Sequence, residues 1–160
     1  MTRIPEHLVI RKAGLNEYEI LTSIAMQSKA FWGYDESFMQ QCANELLVTE
    51  AQLQKQQNYY KVAELNRQVV GFYAVRIESE VLCELDALFV LPNYMGEGVG
   101  SELLKNATAL ARSLSARSLK IVSDPNAKDF YLKAGAIVVG EERSSSMKGR
   151  QLPLLALPLT

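Results

Sequence analysis

The sequence predicts a mixed α/β fold, a mostly antiparallel central sheet with helices on both faces. Two observations carry that expectation. Residues 59–90 hold three consecutive runs rich in β-branched and aromatic side chains, the composition of a strand meander. On either side of the meander the apolar residues recur at helical spacing, and beyond it helices and short apolar runs alternate.

The elements follow in order. Residues 8–11 read as a first strand. Asn16, three residues before Glu19, has the spacing of a capping box, and Ile20, Leu21, Ile24 and Ala25 continue at helical spacing. An aromatic loop, Phe31-Trp32-Gly33-Tyr34, leads to Asp35, an N-cap for a second helix with Phe38, Cys42 and Leu46 as its buried stripe. Thr49 and Gln52 open one further helical turn. Residues 59–65 and 69–77 form a hairpin about Asn66-Arg67-Gln68, and residues 81–90 add a third strand that Pro92 and Asn93 end. After the loop Gly96-Glu97-Gly98-Val99-Gly100 comes a long helix with Val99, Leu103, Ala107, Leu110, Ala111 and Leu114 on one face. Residues 119–123 form a strand. Asp124-Pro125 then supplies the N-cap and first-turn proline of a short helix that stops at Gly135. Residues 136–140 and 152–159 close the chain as strands around a serine-rich loop. Pro153 and Pro158 are expected to keep the last strand at an edge or a bulge. Residues 1–160 are expected to form one domain.

Composition narrows the chemistry. The 48% hydrophobic and 22% charged fractions are ordinary for a globular chain. A formal charge of -1 and a pI near 5.9 argue against a nucleic-acid partner. No run approaches the roughly 20 apolar residues of a membrane span, and the N-terminal residues 1–12 lack the apolar core of a signal peptide. A cytoplasmic protein without a membrane partner is expected. Cys42 and Cys83 form no CxxC pair and read as small buried hydrophobes. With His7 the one histidine, a His-rich zinc site is excluded and a Ser/His/Asp triad rests on that residue alone; no metal is expected. Chemistry is left to carboxylates, tyrosine, backbone amides or a cofactor.

The strand, glycine loop and helix around Gly96–Gly100 form a candidate phosphate cradle. First-turn amides lack intrahelical partners, the helix dipole places positive charge there, and glycine permits close approach. Walker A chemistry requires a lysine after the last glycine, where Ser101 stands. The dinucleotide fingerprint needs its third glycine one residue later and an acid where Lys120 lies. Leu88-Phe89-Val90-x-Pro92-x-x-x-Gly96-x-Gly98-Val99-Gly100-x-x-Leu103-Leu104 instead resembles the Q/R-x-x-G-x-G/A motif of GNAT acetyltransferases. Asn126-Ala127-x-x-Phe130-Tyr131-x-Lys133-x-Gly135-Ala136 resembles that family's second motif, and the element order is similar over nearly the whole chain. Met95 departs from the usual Arg or Gln and removes one side-chain contact to phosphate.

The resemblance implies a site. Acetyl-CoA would lie between the strand ending at Val90 and the strand ending at Ser123, its pyrophosphate on the amides of Met95, Gly96, Glu97, Gly98, Val99, Gly100 and Ser101. Its pantetheine would pair with backbone near Leu88 and Val90, and the amide of Phe89 or Leu88 would polarise the thioester carbonyl. Asn126, Phe130, Tyr131 and Lys133 belong to the second motif, with Tyr131 as proton donor to the leaving thiolate. Glu84 is the first candidate for general base and Asp86 the second; strand alternation puts both on the face of Leu88. Trp32, Tyr34 and Phe38 fall where the family shapes its acceptor site. Arg150, after the loop 144–149, which is a candidate lid, is placed to bind an acceptor carboxylate.

The expected reaction is acetyl transfer from acetyl-CoA to a primary amine by direct attack in a ternary complex, the acceptor being a small molecule. Peptide or protein N-acetylation, a non-catalytic acyl-CoA-binding module and acetylation of aminoacyl-tRNA remain alternatives. The apolar segment 152–159 is a candidate homodimer surface.

Overall fold

The computed structural model describes residues 7–159. Residues 1–6 and 160, which close the expected 1–160 domain and begin the segment read for a signal peptide, lie outside the described residues. The strands are β1 (Leu8–Lys12), β2 (Asn58–Leu65), β3 (Gln68–Ile77), β4 (Leu82–Val90), β5 (Ser118–Val122), β6 (Ile137–Arg143) and β7 (Gln151–Pro158). The helices are α1 (Tyr18–Ala30), α2 (Glu36–Leu46), α3 (Glu50–Gln54), α4 (Val99–Ser113) and α5 (Lys128–Lys133). One sheet runs in the order β1-β2-β3-β4-β5-β7-β6, and only β4 and β5 pair in parallel.

Side-chain alternation gives the sheet two apolar faces, each covered. On one, Tyr73, Val75, Leu119, Ile121 and Leu155 pack with Val99, Leu103, Ala107 and Ala111 of α4 and with Tyr131 of α5. On the other, Val62 and Phe72 pack beneath Leu21, Ile24 and Ala25 of α1 and Met39, Cys42 and Leu46 of α2. Among the described residues no helix is long and apolar enough to cross a membrane.

Local signals decide most boundaries. Asp35 Oδ1 accepts from Phe38 N at 2.8 Å, and Thr49 and Gln52 make a reciprocal capping box. Asn66 and Arg67 both take positive φ, the geometry of a two-residue hairpin turn. Gly135 closes α5 at φ 105.

Four expectations are corrected. Asn16 does not cap α1. Glu17 occupies the N-cap without a side-chain cap bond, because its carboxylate bonds Gly14 N and Arg11 instead. Ile20 is 49% exposed, so Leu21, Ile24 and Ala25 carry the buried face. In α2 the buried stripe is Met39, Cys42 and Leu46, with Phe38 only half-buried. The last strand is not an edge, since β7 lies between β5 and β6, although its pairing with β6 does carry a bulge between Val138 and Gly140.

The prolines fit inside the sheet because each aims its missing N–H past the end of a neighbour. Pro153 faces Ser123, one residue beyond β5, and Pro158 faces away from β5, beyond the first pair of β6. With both edges of β7 taken, the sheet ends on this side at β6, where Ile137, Val138 and Val139 are all at least half exposed.

Candidate active site

The site begins where the one parallel pair comes apart. Pairing of β4 with β5 stops at Leu85↔Ile121, while β4 continues to Val90. Leu91 N donates to Val70 O at 2.8 Å, and a Cβ on Gly71 would meet Phe89 O at 2.8 Å, so residues 91 and 89 turn their backbone groups toward β3. By alternation the N–H and C=O of Leu88 and Val90 face the opening. Of the two amides considered as carbonyl donors, that of Phe89 is committed to β3 and that of Leu88 faces the opening, beyond the last β4–β5 pair.

A bulge at Asp86 resets the side chains. Ala74 pairs Ala87 and Val75 pairs Leu85, leaving Asp86 as the extra residue. Cys83 and Leu85 face α4, as do Leu88 and Val90, whereas Ala87 and Phe89 face α1 and α2. Glu84 and Asp86 therefore do not share the face of Leu88, as simple alternation implied. They lie on the α1/α2 face, where Arg76 bonds both carboxylates, at 3.1 Å to Glu84 and 3.0 Å to Asp86.

Past Val90 the chain makes a single 3-10 turn, Pro92–Tyr94, and enters the glycine loop. Gly96 (φ 79) and Gly98 (φ 90) hold left-handed backbone that side chains disfavour, and Gly98 is the N-cap of α4. Glu102 N is the first amide to bond back into the helix, to Gly98 O at 3.1 Å. The amides of Val99, Gly100 and Ser101 thus have no intrahelical acceptor, and α4 is long enough for its dipole to favour an anion there. Met95, Gly96, Gly98, Gly100 and Ser101 line a cleft of about 900 Å³. The Glu97 side chain is exposed outside that lining and Val99 is a core residue, so these two offer only backbone.

Opposite the loop, Asn126, Phe130, Tyr131 and Lys133 line the same cleft, as do Leu88, Phe89 and Val90. Asp124 Oδ1 accepts from Asn126 N at 2.8 Å and so starts the turn that leads into α5. Phe130 and Tyr131 meet edge to face at 5.1 Å. Tyr131 is 6% exposed, and no hydrogen bond to another described residue holds its hydroxyl. Burial first, then the charge of Asp124, holds the phenol well above its ordinary value, so it stays protonated and able to donate.

The carboxylate pair belongs to a network. Lys120 Nζ lies 3.5 Å from Glu84, 3.3 Å from Glu142 and 3.9 Å from Glu78. Burial, then the charge of Asp86, raises the Glu84 carboxyl, with Lys120 and Arg76 pulling the other way. A raised carboxyl is a better proton acceptor near neutral pH. Tyr60, also in the cleft wall, is pushed up to about 12 by burial and by Asp86.

The structure separates the residues expected to meet the acceptor. Trp32 and Arg150 line the cleft; Tyr34 and Phe38 stand behind it, stacked at 4.1 Å. Tyr34 Oη donates to Asp124 (2.9 Å to Oδ2) and accepts from Arg150 Nη2 and Asn126 Nδ2, each at 3.0 Å. Lys29 Nζ bonds Asp124 Oδ2 at 3.1 Å. Burial alone would raise Asp124, but the Asn126 amide, Lys29 and Tyr34 outweigh it and hold the carboxyl below its usual value. Lys29 and Asp124 both line the cleft, and sequence reading missed Lys29 and saw Asp124 only as a cap.

A family model described as an acetyltransferase (GNAT) domain matches residues 18–147. An uncharacterised N-acetyltransferase of Methanocaldococcus jannaschii is 25% identical over 116 residues, covering 67% of this chain and 51% of that protein. The chain thus spans about half the length of that curated relative. Among solved structures, PaiA N-acetyltransferase of Thermoplasma acidophilum in complex with coenzyme A superposes with TM-score 0.76 at 19% identity, over 94% of this chain and 98% of that one. A GCN5-related N-acetyltransferase from Rhodopseudomonas palustris gives TM-score 0.79 at 20% identity, over 99% and 98%. At these identities the structural likeness concerns the fold.

Proposed function

The chain belongs to the GNAT acetyltransferase family, and from that premise we propose that it moves an acetyl group from acetyl-CoA to a primary amine of a small molecule, by direct attack with both substrates bound. One observation carries the reading: the opened β4–β5 pair, the free amides of α4 and Tyr131 all line one cleft.

The residues present fit coenzyme A. The amides from Gly96 to Ser101 suit a pyrophosphate, with the Lys133 cation lining the same cleft, and the backbone edge at Leu88 and Val90 suits an amide-bearing chain added like a strand. Met95 adds no charge, so the amides carry the anion. When bound, acetyl-CoA supplies a thioester-activated acetyl group. The Leu88 N–H donates to developing negative charge on a carbonyl oxygen. Glu84 takes the proton of the acceptor amine directly or through water, with Asp86 as the second candidate. The Tyr131 hydroxyl gives its proton to the departing sulfur. Asn126 spends both amide hydrogens on Tyr34 and Asp124 and so ties the two halves of the cleft.

Direct attack has a plain test. Protein mixed with acetyl-CoA alone should keep its mass, with thiol released only once an amine is added. A stable acetyl-enzyme formed without amine would contradict it.

A further inference from the structure

Arg150, at the junction of the 144–150 loop with β7, is pinned beside Asp124, a carboxylate it shares with Lys29, and keeps most of its donors unspent. Its Cζ lies 4.8 Å from the Phe38 ring centroid and 5.4 Å from that of Tyr34, so the stacked pair fixes the guanidinium. Nη2 donates to Tyr34 Oη, and no other described residue accepts from Nε or Nη1. One of five N–H groups is spent. Because it belongs to Nη2, one of the two forked edges keeps both its donors.

The neighbouring acids do not complete the site. Asp124 lies 3.8 Å from Nη2 and already accepts from Lys29, Tyr34, Asn126 N and Asn126 Nδ2. Glu45, also in the cleft wall, accepts from Ser146 Oγ. Tyr34 Oη is saturated, with its one hydrogen donated and two accepted. Arg150 is nonetheless only 19% exposed and lines the cleft. A cation so withdrawn from water, with an intact fork, matches a planar two-oxygen anion. The same cleft carries the acidic pair Glu84 and Asp86 in another part of its wall.

We infer that the acceptor is an amine that also bears a carboxylate, an amino acid or a close relative, with the carboxylate on the free edge of Arg150 and the amine directed to Glu84 and Asp86. Tyr34 and Phe38 act as positioning residues for that guanidinium. This inference rests on the acetyltransferase reading above.

The experiment measures acetyl-CoA-dependent thiol release with the proteinogenic L-amino acids, each paired with its amide, its decarboxylated amine and its aminophosphonate. Thermal stabilisation by each compound in the presence of coenzyme A is read in parallel. At least one amino acid should exceed its amide and its amine in kcat/KM by about 10- to 100-fold, the range for a charged hydrogen-bonded contact. Arg150→Met should erase that preference, chiefly through KM, and Arg150→Lys should restore part of it. The coenzyme A response reports that both variants are folded. Amides or amines used as well as the acids overturn the inference, as does a preference for aminophosphonates, or a panel with neither turnover nor stabilisation despite a normal coenzyme A response. Loss of the coenzyme A response in the wild-type protein overturns the acetyltransferase reading itself.

Discussion

The two halves of the cleft are built by opposite means. The half between the glycine loop and α5 is made of backbone: free amides at the start of α4, unpaired edge groups of β4, and glycines that hold positive φ. The half between α1, α2 and the 144–150 loop is made of side chains drawn together across the chain, Tyr34 with Asp124 over 90 positions and Tyr34 with Arg150 over 116. Backbone recognition is indifferent to most substitutions and suits a constant ligand. A side-chain cluster changes with any one of its members and suits a variable one.

That contrast can be broken in several places. The largest effect is expected from Tyr131→Phe, which removes the proposed proton donor and leaves the amides untouched. kcat should fall by about 10²–10⁴-fold while coenzyme A still stabilises the protein, measured by thiol release and thermal unfolding. Equal losses in both readouts would show that the hydroxyl is structural.

Asp124→Asn attacks the other half, leaving Lys29 and Arg150 without their shared anion. Stability should fall by about 2 kcal/mol, read from denaturant midpoints. The pH dependence has a definite sign. A carboxyl held low in the folded state contributes stability that is present above its unfolded value and lost as pH falls through the folded one. The wild-type protein should therefore lose stability on acidification below the ordinary aspartate range, and Asp124→Asn should flatten that limb.

Tyr34→Phe keeps the stack on Phe38 but cuts three hydrogen bonds. A loss of about 1–2 kcal/mol is expected, with each kcal/mol worth roughly 2–4 °C for a domain near this size. Acceptor KM should rise more than coenzyme A affinity falls.

Glu84 sharpens the division by pH. Its raised carboxyl places the acid limb of kcat/KM above the ordinary glutamate value, and activity should rise as that group loses its proton. Glu84→Gln should remove the limb, and a limb that persists would move the role to Asp86. The smallest change is expected from Met95→Arg, which adds one phosphate contact to a cradle already made of amides. Coenzyme A affinity should improve by no more than about tenfold.

The same contrast explains what could be read from the chain. The cradle and the α5 turn were legible because their physics is local: a glycine loop before an apolar helix stripe, and Asp124-Pro125 before Asn126, each work within a few residues. The Asp86 bulge was not legible, since one extra residue opposite β3 leaves no mark in β4 itself, and it reversed the face assigned to Glu84 and Asp86. The interior position of β7 was hidden by its prolines, whose missing N–H groups fall where the neighbouring strands stop. Tyr34 looked like an acceptor-site aromatic, yet it is the brace behind the wall, because the partners that hold it lie in distant segments.

The central claim is that the α4 amides and the β4 edge hold coenzyme A. Thermal unfolding of the purified protein with acetyl-CoA, coenzyme A, NADH or ATP tests it most directly. At about 100 times Kd a ligand adds roughly 2.7 kcal/mol of stability, several degrees in midpoint. The account predicts that shift with acetyl-CoA and coenzyme A and little with NADH or ATP; no shift with saturating acetyl-CoA, or an equal one with ATP, would contradict it.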